Sequence, residues 1–112
     1  MLIPKILKLA LEENASDVLL SSWTQPCLKI NGEVKYLVDY LAFTSKDLHE
    51  EVMKLLSESQ KEKFLKELEL DFSVELKDHA RFRVNVFKEK KGIAAVFRPI
   101  KSILPSYEEL HL

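Results

Sequence analysis

Apolar residues recur at helical spacing at the start of the chain, where Ile3, Ile6, Leu7 and Ala10 share one side of "PKILKLALEEN". The spacing predicts a helix over 3–13, with Pro4 tolerated in its first turn. "SDVLLSS", "CLKI" and "EVKYLV" read as three short strands, the last two joined at Asn31-Gly32, a strong hairpin dipeptide. A strict two-residue turn there would pair Ile30 with Glu33 and put the apolar residues of the two strands on opposite faces. A bulge or three-residue loop is therefore expected. "TSKDLHEEVMKLL" and "SESQKEKFLKEL" each open on a capping pattern, Thr44 with Asp47 and Ser57 with Gln60. Leu48, Val52, Leu55 and Leu56 follow on one helix face, and Phe64, Leu65 and Leu68 on the next. From Glu69 the period becomes two, which predicts three further strands: "ELDFSVEL", "ARFRVNVF" and "GIAAVFR".

The order is thus helix, three strands, two helices, three strands. Strand and helix do not alternate as parallel sheets require, so an α+β fold is expected: about six antiparallel strands with helices on one face. In the last three strands the apolar parity is Leu70, Phe72, Val74 and Leu76, then Phe82, Val84 and Val86, then Ile93, Ala95 and Phe97. Matching these residues pairs Phe82 with Phe97, Val84 with Ala95 and Val86 with Ile93. That register sets Arg81 across from Arg98 on the outer face, with Arg83 beside them. The same rule puts Glu75 opposite Arg81 and Asp71 diagonal to Arg83.

Those three arginines are all the chain has; every other member of its 17 lysines and arginines is a lysine. Lysine suffices for solubility, whereas arginine's planar fork suits carboxylates and phosphates. Like charges directly opposite one another destabilise a sheet, so an anion is expected nearby. Two sources remain open: a solvated ladder with Glu75 and Asp71, or a ligand. Arg98 has no acidic partner in this register.

Composition narrows the classes. The 112 residues make one domain, 46% hydrophobic and 31% charged, with a formal net charge of −1. That balance gives no field for nucleic acid, so none is expected as a partner. One cysteine, Cys27, forms no internal disulfide and fits a reducing compartment. The lysines and glutamates of the first helix exclude a signal peptide or membrane insertion. Gly32 and Gly92 are the only glycines, so there is no Walker A loop and the chain alone should hydrolyse nothing. His49, His79 and His111 have no metal-site spacing. Cys27 reads as a packed or surface thiol, Trp23 as a loop aromatic with a possible contact role, and Asp17 as a turn or cap residue.

Three stretches together carry a resemblance that covers nearly the whole chain. "ENASDVLLSSWTQPCLKINGEV" resembles the opening of the type IV pilus retraction ATPases, the PilT family of secretion-type motors. "ELDFSVELKDHARFRVNVFKEKKGIAAVFRPI" is similar to that family's D-F-S … A-R-F-R-V-N-x-F … G-x-x-x-V-F-R-x-I block, and "PSYEELHL" to the start of its interdomain linker. The resemblance implies a PAS-like amino-terminal domain over 1–99 and a linker from 100 to 112. A RecA-like ATPase domain holding ATP and Mg²⁺ should follow, and this chain should bind no nucleotide tightly. It implies a cytoplasmic bacterial homohexamer beside the inner-membrane pilus machinery, with this domain packing on a neighbouring subunit. It also makes Arg81, Arg83 and Arg98 a phosphate-sensing set, Arg98 and Arg81 foremost. The family's histidine after A-S-D-L is Leu19 here and its linker glycine is His111. The short segment before the A-S-D strand favours a retraction motor. A free-standing PAS-like small-molecule sensor is the competing class, but it needs a cavity behind the sheet, where Phe72, Phe82, Val84 and Phe97 should fill the space. No long apolar heptad suggests self-association, so the chain is expected to be monomeric.

Overall fold

The computed structural model describes residues 1–76 and 80–100. The expected linker from 101 onward, with His111, and the turn holding His79 lie outside the described residues. Three helices, α1 (Ile3–Glu12), α2 (Ser45–Met53) and α3 (Glu58–Glu67), accompany six strands. These are β1 (Asp17–Ser21), β2 (Cys27–Ile30), β3 (Glu33–Tyr36), β4 (Glu69–Leu76), β5 (Ala80–Glu89) and β6 (Gly92–Ile100). They form one antiparallel sheet in the order β3-β2-β1-β6-β5-β4. The expected α+β architecture is present, in a form compatible with a PAS-like domain.

Local chemistry accounts for the helix ends. Thr44 accepts from the Asp47 amide at the start of α2, and Ser57 and Gln60 cap α3 reciprocally. The start of α1 has no cap of its own. Glu51 of α2 supplies it, its Oε1 accepting from the Leu2 and Ile3 amides, each at 3.0 Å. Ile3, Ile6 and Ala10 of α1, Leu48 and Val52 of α2 and Phe64 of α3 join one core with Val18, Leu20, Phe82, Val84, Val86 and Phe97 of the sheet. Full burial of each large side chain contributes about 1.5–3 kcal/mol. Every sheet residue in that set sits at an even position or pairs with one, so the helices cover a single face.

Two expectations of register are corrected. The Asn31-Gly32 turn is a strict two-residue one, Ile30 pairing with Glu33, with φ of 52° and 81° at the two central residues. Both lie in the left-handed region that such a turn demands. The apolar mismatch that argued for a bulge carries no cost, because β3 is an edge strand exposed along its whole length. With no buried face to satisfy, the turn chemistry alone sets the register.

The final hairpin is displaced by two residues from the expected pairing. Phe82 faces Pro99, Val84 faces Phe97, Val86 faces Ala95, and Glu89 faces Gly92 around Lys90-Lys91. A slip of two leaves each side chain on its own face, so the apolar pattern could not choose between the registers. The tight turn did. As a result Arg98 stands opposite Arg83, and Arg81 stands opposite Ile100.

The two glycines differ in what they tolerate. A Cβ on Gly32 would meet nothing within 4 Å, whereas one on Gly92 would lie 2.4 Å from Ser45 Oγ and 2.6 Å from Ser22 Oγ. Both have positive φ, 81° and 136°. Gly32→Ala should cost about 1–2 kcal/mol of backbone strain, and Gly92→Ala about 1–3 kcal/mol more through overpacking. Urea denaturation of the two variants checks the order; equal losses would contradict the close packing under Gly92.

Candidate functional site: an arginine pair on the open sheet face

The face away from the helices is organised in rows that cross the strands. One row runs Lys29, Asp17, Arg98, Arg83, Ser73 over β2, β1, β6, β5 and β4. The next runs Cys27, Leu19, Val96, Asn85, Asp71. Alternation explains why these residues share a face: each adjoins at least one residue that enters the core, as Arg83 lies between Phe82 and Val84.

Asp17 is the buried anchor of the first row. Its Oδ1 accepts from Arg98 Nε at 2.6 Å and its Oδ2 from Ser16 Oγ at 2.9 Å. The side chains differ in exposure, 12% for Asp17 and 70% for Arg98. Burial pushes the Asp17 carboxyl up. The hydrogen bonds from Arg98 and Ser16, with the charges of Arg98 and Lys29, outweigh burial and hold it below its ordinary value of 3.8. The expectation that Arg98 lacks an acidic partner is thus overturned, as is the reading of Asp17 as a mere turn residue. The partner comes from a strand 81 positions away, and no hairpin rule can pair β1 with β6. The missed signal was parity: Val18 and Leu20 enter the core, so Asp17 had to face outward beside whatever strand adjoined β1.

Arg98 uses Nε for Asp17, which leaves its terminal amino groups for other partners. Arg98 and Arg83 line a shallow cleft of about 350 Å³ with Val96, Asn85, Asp71 and Glu69. Arg81 does not line it. It sits opposite Glu75, as expected, but no ion pair joins those two, nor Asp71 to Arg83. The charged ladder is therefore not the arrangement adopted. Asp71 and Glu69 instead accept from the Asn85 amide at 2.9 Å and 3.3 Å, a residue that sequence reading left out of the site.

Two other sequence candidates lie elsewhere. Cys27 is buried, and burial pushes its thiol up, which makes it a poor nucleophile. Trp23 has φ of 68° and is 59% exposed, beside an open groove of about 580 Å³ between α2, α3 and the start of β6. No described helix is long and apolar enough to cross a membrane.

Fold and site together define a small α+β domain, helices on one face of its sheet and an anchored arginine pair on the other. No family model matches the chain. It is 34% identical over 108 residues to the type IV pilus retraction ATPase PilT of Pseudomonas aeruginosa, covering 96% of this chain and 31% of that protein. It is 30% identical over 108 residues to the type IV pilus ATPase PilU of the same organism, covering 28% of that protein. A crystal structure of the pilus retraction motor PilT with bound ADP superimposes with a TM-score of 0.83 at 31% identity, over 96% of this chain and 31% of the other. The chain is homologous to the PilT-type ATPases and corresponds to their amino-terminal domain. It spans about a third of the length of these relatives.

The lowered Asp17 ionisation gives a pH signature. A carboxyl whose folded value is depressed contributes stability that is complete above its ordinary value and lost as pH falls through the lowered one. Asp17→Asn should cost about 1–3 kcal/mol at pH 7, and the gap to wild type should be smaller at pH 2.5, below the ordinary carboxyl value of 3.8. Denaturant midpoints of both proteins at the two pH values read this directly. An equal gap at both would show that the carboxylate charge is irrelevant.

Proposed function

We propose that this chain is the regulatory and assembly domain of a hexameric pilus-retraction motor ATPase, and that Arg83 and Arg98 contact the phosphates of ATP. The observation that carries this reading is the direct opposition of Arg83 and Arg98 on the exposed sheet face beside a cleft. Two guanidiniums in that position repel each other, and a pair held there against repulsion is a ready seat for a doubly charged anion. Arg81 stands one row further on and acts from the margin of the seat.

The two guanidiniums suit phosphate oxygens. Neither a glycine-rich loop nor an aromatic lines the cleft, so base, ribose and Mg²⁺ would be held by a RecA-like domain, with this sheet face brought against the phosphates. ATP bound there supplies the phosphoryl group; the arginines here orient its oxygens and stabilise their charge. Two or three such contacts on an open face, set against the cost of association, leave the isolated chain with a dissociation constant near or above a millimolar, about −4 kcal/mol. Packing on a neighbouring subunit, beside the cytoplasmic side of the pilus machinery, completes the reading. A PAS-like sensor has less support, because Phe82, Val84 and Phe97 are fully buried where its cavity would lie.

Arg83→Ala is the cleaner test in a full-length parent, since Arg98→Ala also strips Asp17 of its bond. ATP turnover should fall by about 10³–10⁵ if Arg83 stabilises transition-state charge, with the hexamer intact by light scattering. Arg83→Lys should recover little, since a point charge lacks the fork. Turnover at the wild-type rate in Arg83→Ala would sink the proposal.

A further inference from the structure

The cleft has two ends of opposite sign. Arg83 and Arg98 mark one, Glu69 and Asp71 the other. Asp71 is diagonal to Arg83 on the same face, because Asp71 pairs with Asn85 while Ser73 pairs with Arg83. Long side chains of opposite charge reach one another at that spacing. An Asp71–Arg83 ion pair would occupy the guanidinium that an anion needs, yet it does not form.

The reason is Asn85. Its Nδ2 donates to Asp71 Oδ1 at 2.9 Å and reaches Glu69 Oε1 at 3.3 Å. A primary amide carries two N–H groups on one nitrogen and no charge. One side chain can therefore engage two carboxylates without adding to the positive charge beside it. Asn85 also stands opposite Val96, one row from both arginines, so it divides the acidic end of the cleft from the basic end. An apolar residue there would leave the carboxylates free to turn to Arg83. Aspartate would repel them toward it, and lysine would add a third cation to a pair already under repulsion.

We infer that Asn85 is a positioning residue that holds Glu69 and Asp71 off Arg83 and so keeps the Arg83 guanidinium open for a phosphate-type anion beside Arg98. The anion in that statement rests on the function proposed above; the diversion of the carboxylates does not. The acidic end also gives the seat a direction, rejecting the negative groups of a polyphosphate from the Asp71 side.

Three arginines give three Nε–H resonances, each assignable by an arginine-to-lysine substitution, so NMR follows each guanidinium of this chain separately. Inorganic tripolyphosphate is the probe. In wild type it should shift Arg83 and Arg98, with millimolar affinity. Asn85→Ala should weaken that affinity about tenfold, equivalent to about 1.4 kcal/mol. With no probe added, it should also slow rotation of the Arg83 guanidinium, the sign of a new ion pair. Asp71→Asn should improve affinity more in the Asn85→Ala background than in wild type, the coupling a double-mutant cycle isolates. Asn85→Val, better suited to a strand, repeats the measurement if the alanine variant folds poorly. Unchanged affinity together with unchanged Arg83 rotation overturns the inference. Lost affinity that Asp71→Asn does not restore also overturns it, by making Asn85 itself the anion's contact. If wild type binds no tripolyphosphate, the phosphate reading fails, and the Arg83 rotation measured without the probe still decides the role of Asn85.

Discussion

The pairing of β1 with β6 holds this domain together. Without it the chain would contain two separate three-stranded meanders, β1-β2-β3 and β4-β5-β6, each at the lower limit of strand number for independent stability. The seam brings Val18 against Phe97 and Leu20 against Ala95, all of them buried. It joins residues about 80 positions apart, with α2 and α3 in the intervening chain. Its closure carries a loop-entropy cost that neither meander meets on its own. The core that forms on one side of the seam offsets that cost, and the Asp17–Arg98 bond fastens its end on the other side.

That dependence explains which parts of the structure were legible in the sequence. Element types and the α+β class followed from local signals: the capping residues Thr44 and Ser57, the change of period at Glu69, the Asn31-Gly32 dipeptide. The pairing of β4 with β5, including Glu75 opposite Arg81, followed from apolar parity. The β5–β6 register did not, because parity is blind to a slip of two. The bulge expected at Asn31-Gly32 rested on matching the apolar residues of "CLKI" and "EVKYLV", whereas the sheet places β3 at an edge and leaves Val34 and Tyr36 about half exposed. Asp17 as partner of Arg98 was out of reach for a different reason: it depends on the seam, and nothing local to either strand encodes which strand will adjoin it.

The site has the same mixed legibility. Three arginines confined to the last two strands marked the region. What converts them into a site is the set of residues that decide who pairs with whom. Asp17 ties down Arg98 through Nε, and Asn85 occupies the carboxylates nearest Arg83. An amide and a buried aspartate look unremarkable in a linear reading, because their effect is to leave charges elsewhere unneutralised. The cost of two opposed guanidiniums is met on one side only, since Asp17 serves Arg98 and not Arg83.

The carboxylate of Glu51, which closes the first turn of α1, fixes where the chain's beginning lies. Leu2 and Ile3 are pinned to α2 on the helical side of the sheet, while Arg83 and Arg98 open on the reverse side. A fluorophore or affinity label attached ahead of Leu2 is thus separated from the arginines by the full thickness of the sheet and its helical layer. It could report on neighbouring molecules without shielding the anion seat, whereas a label at Ile100 of β6, two residues from Arg98 and opposite Arg81, would sit beside it.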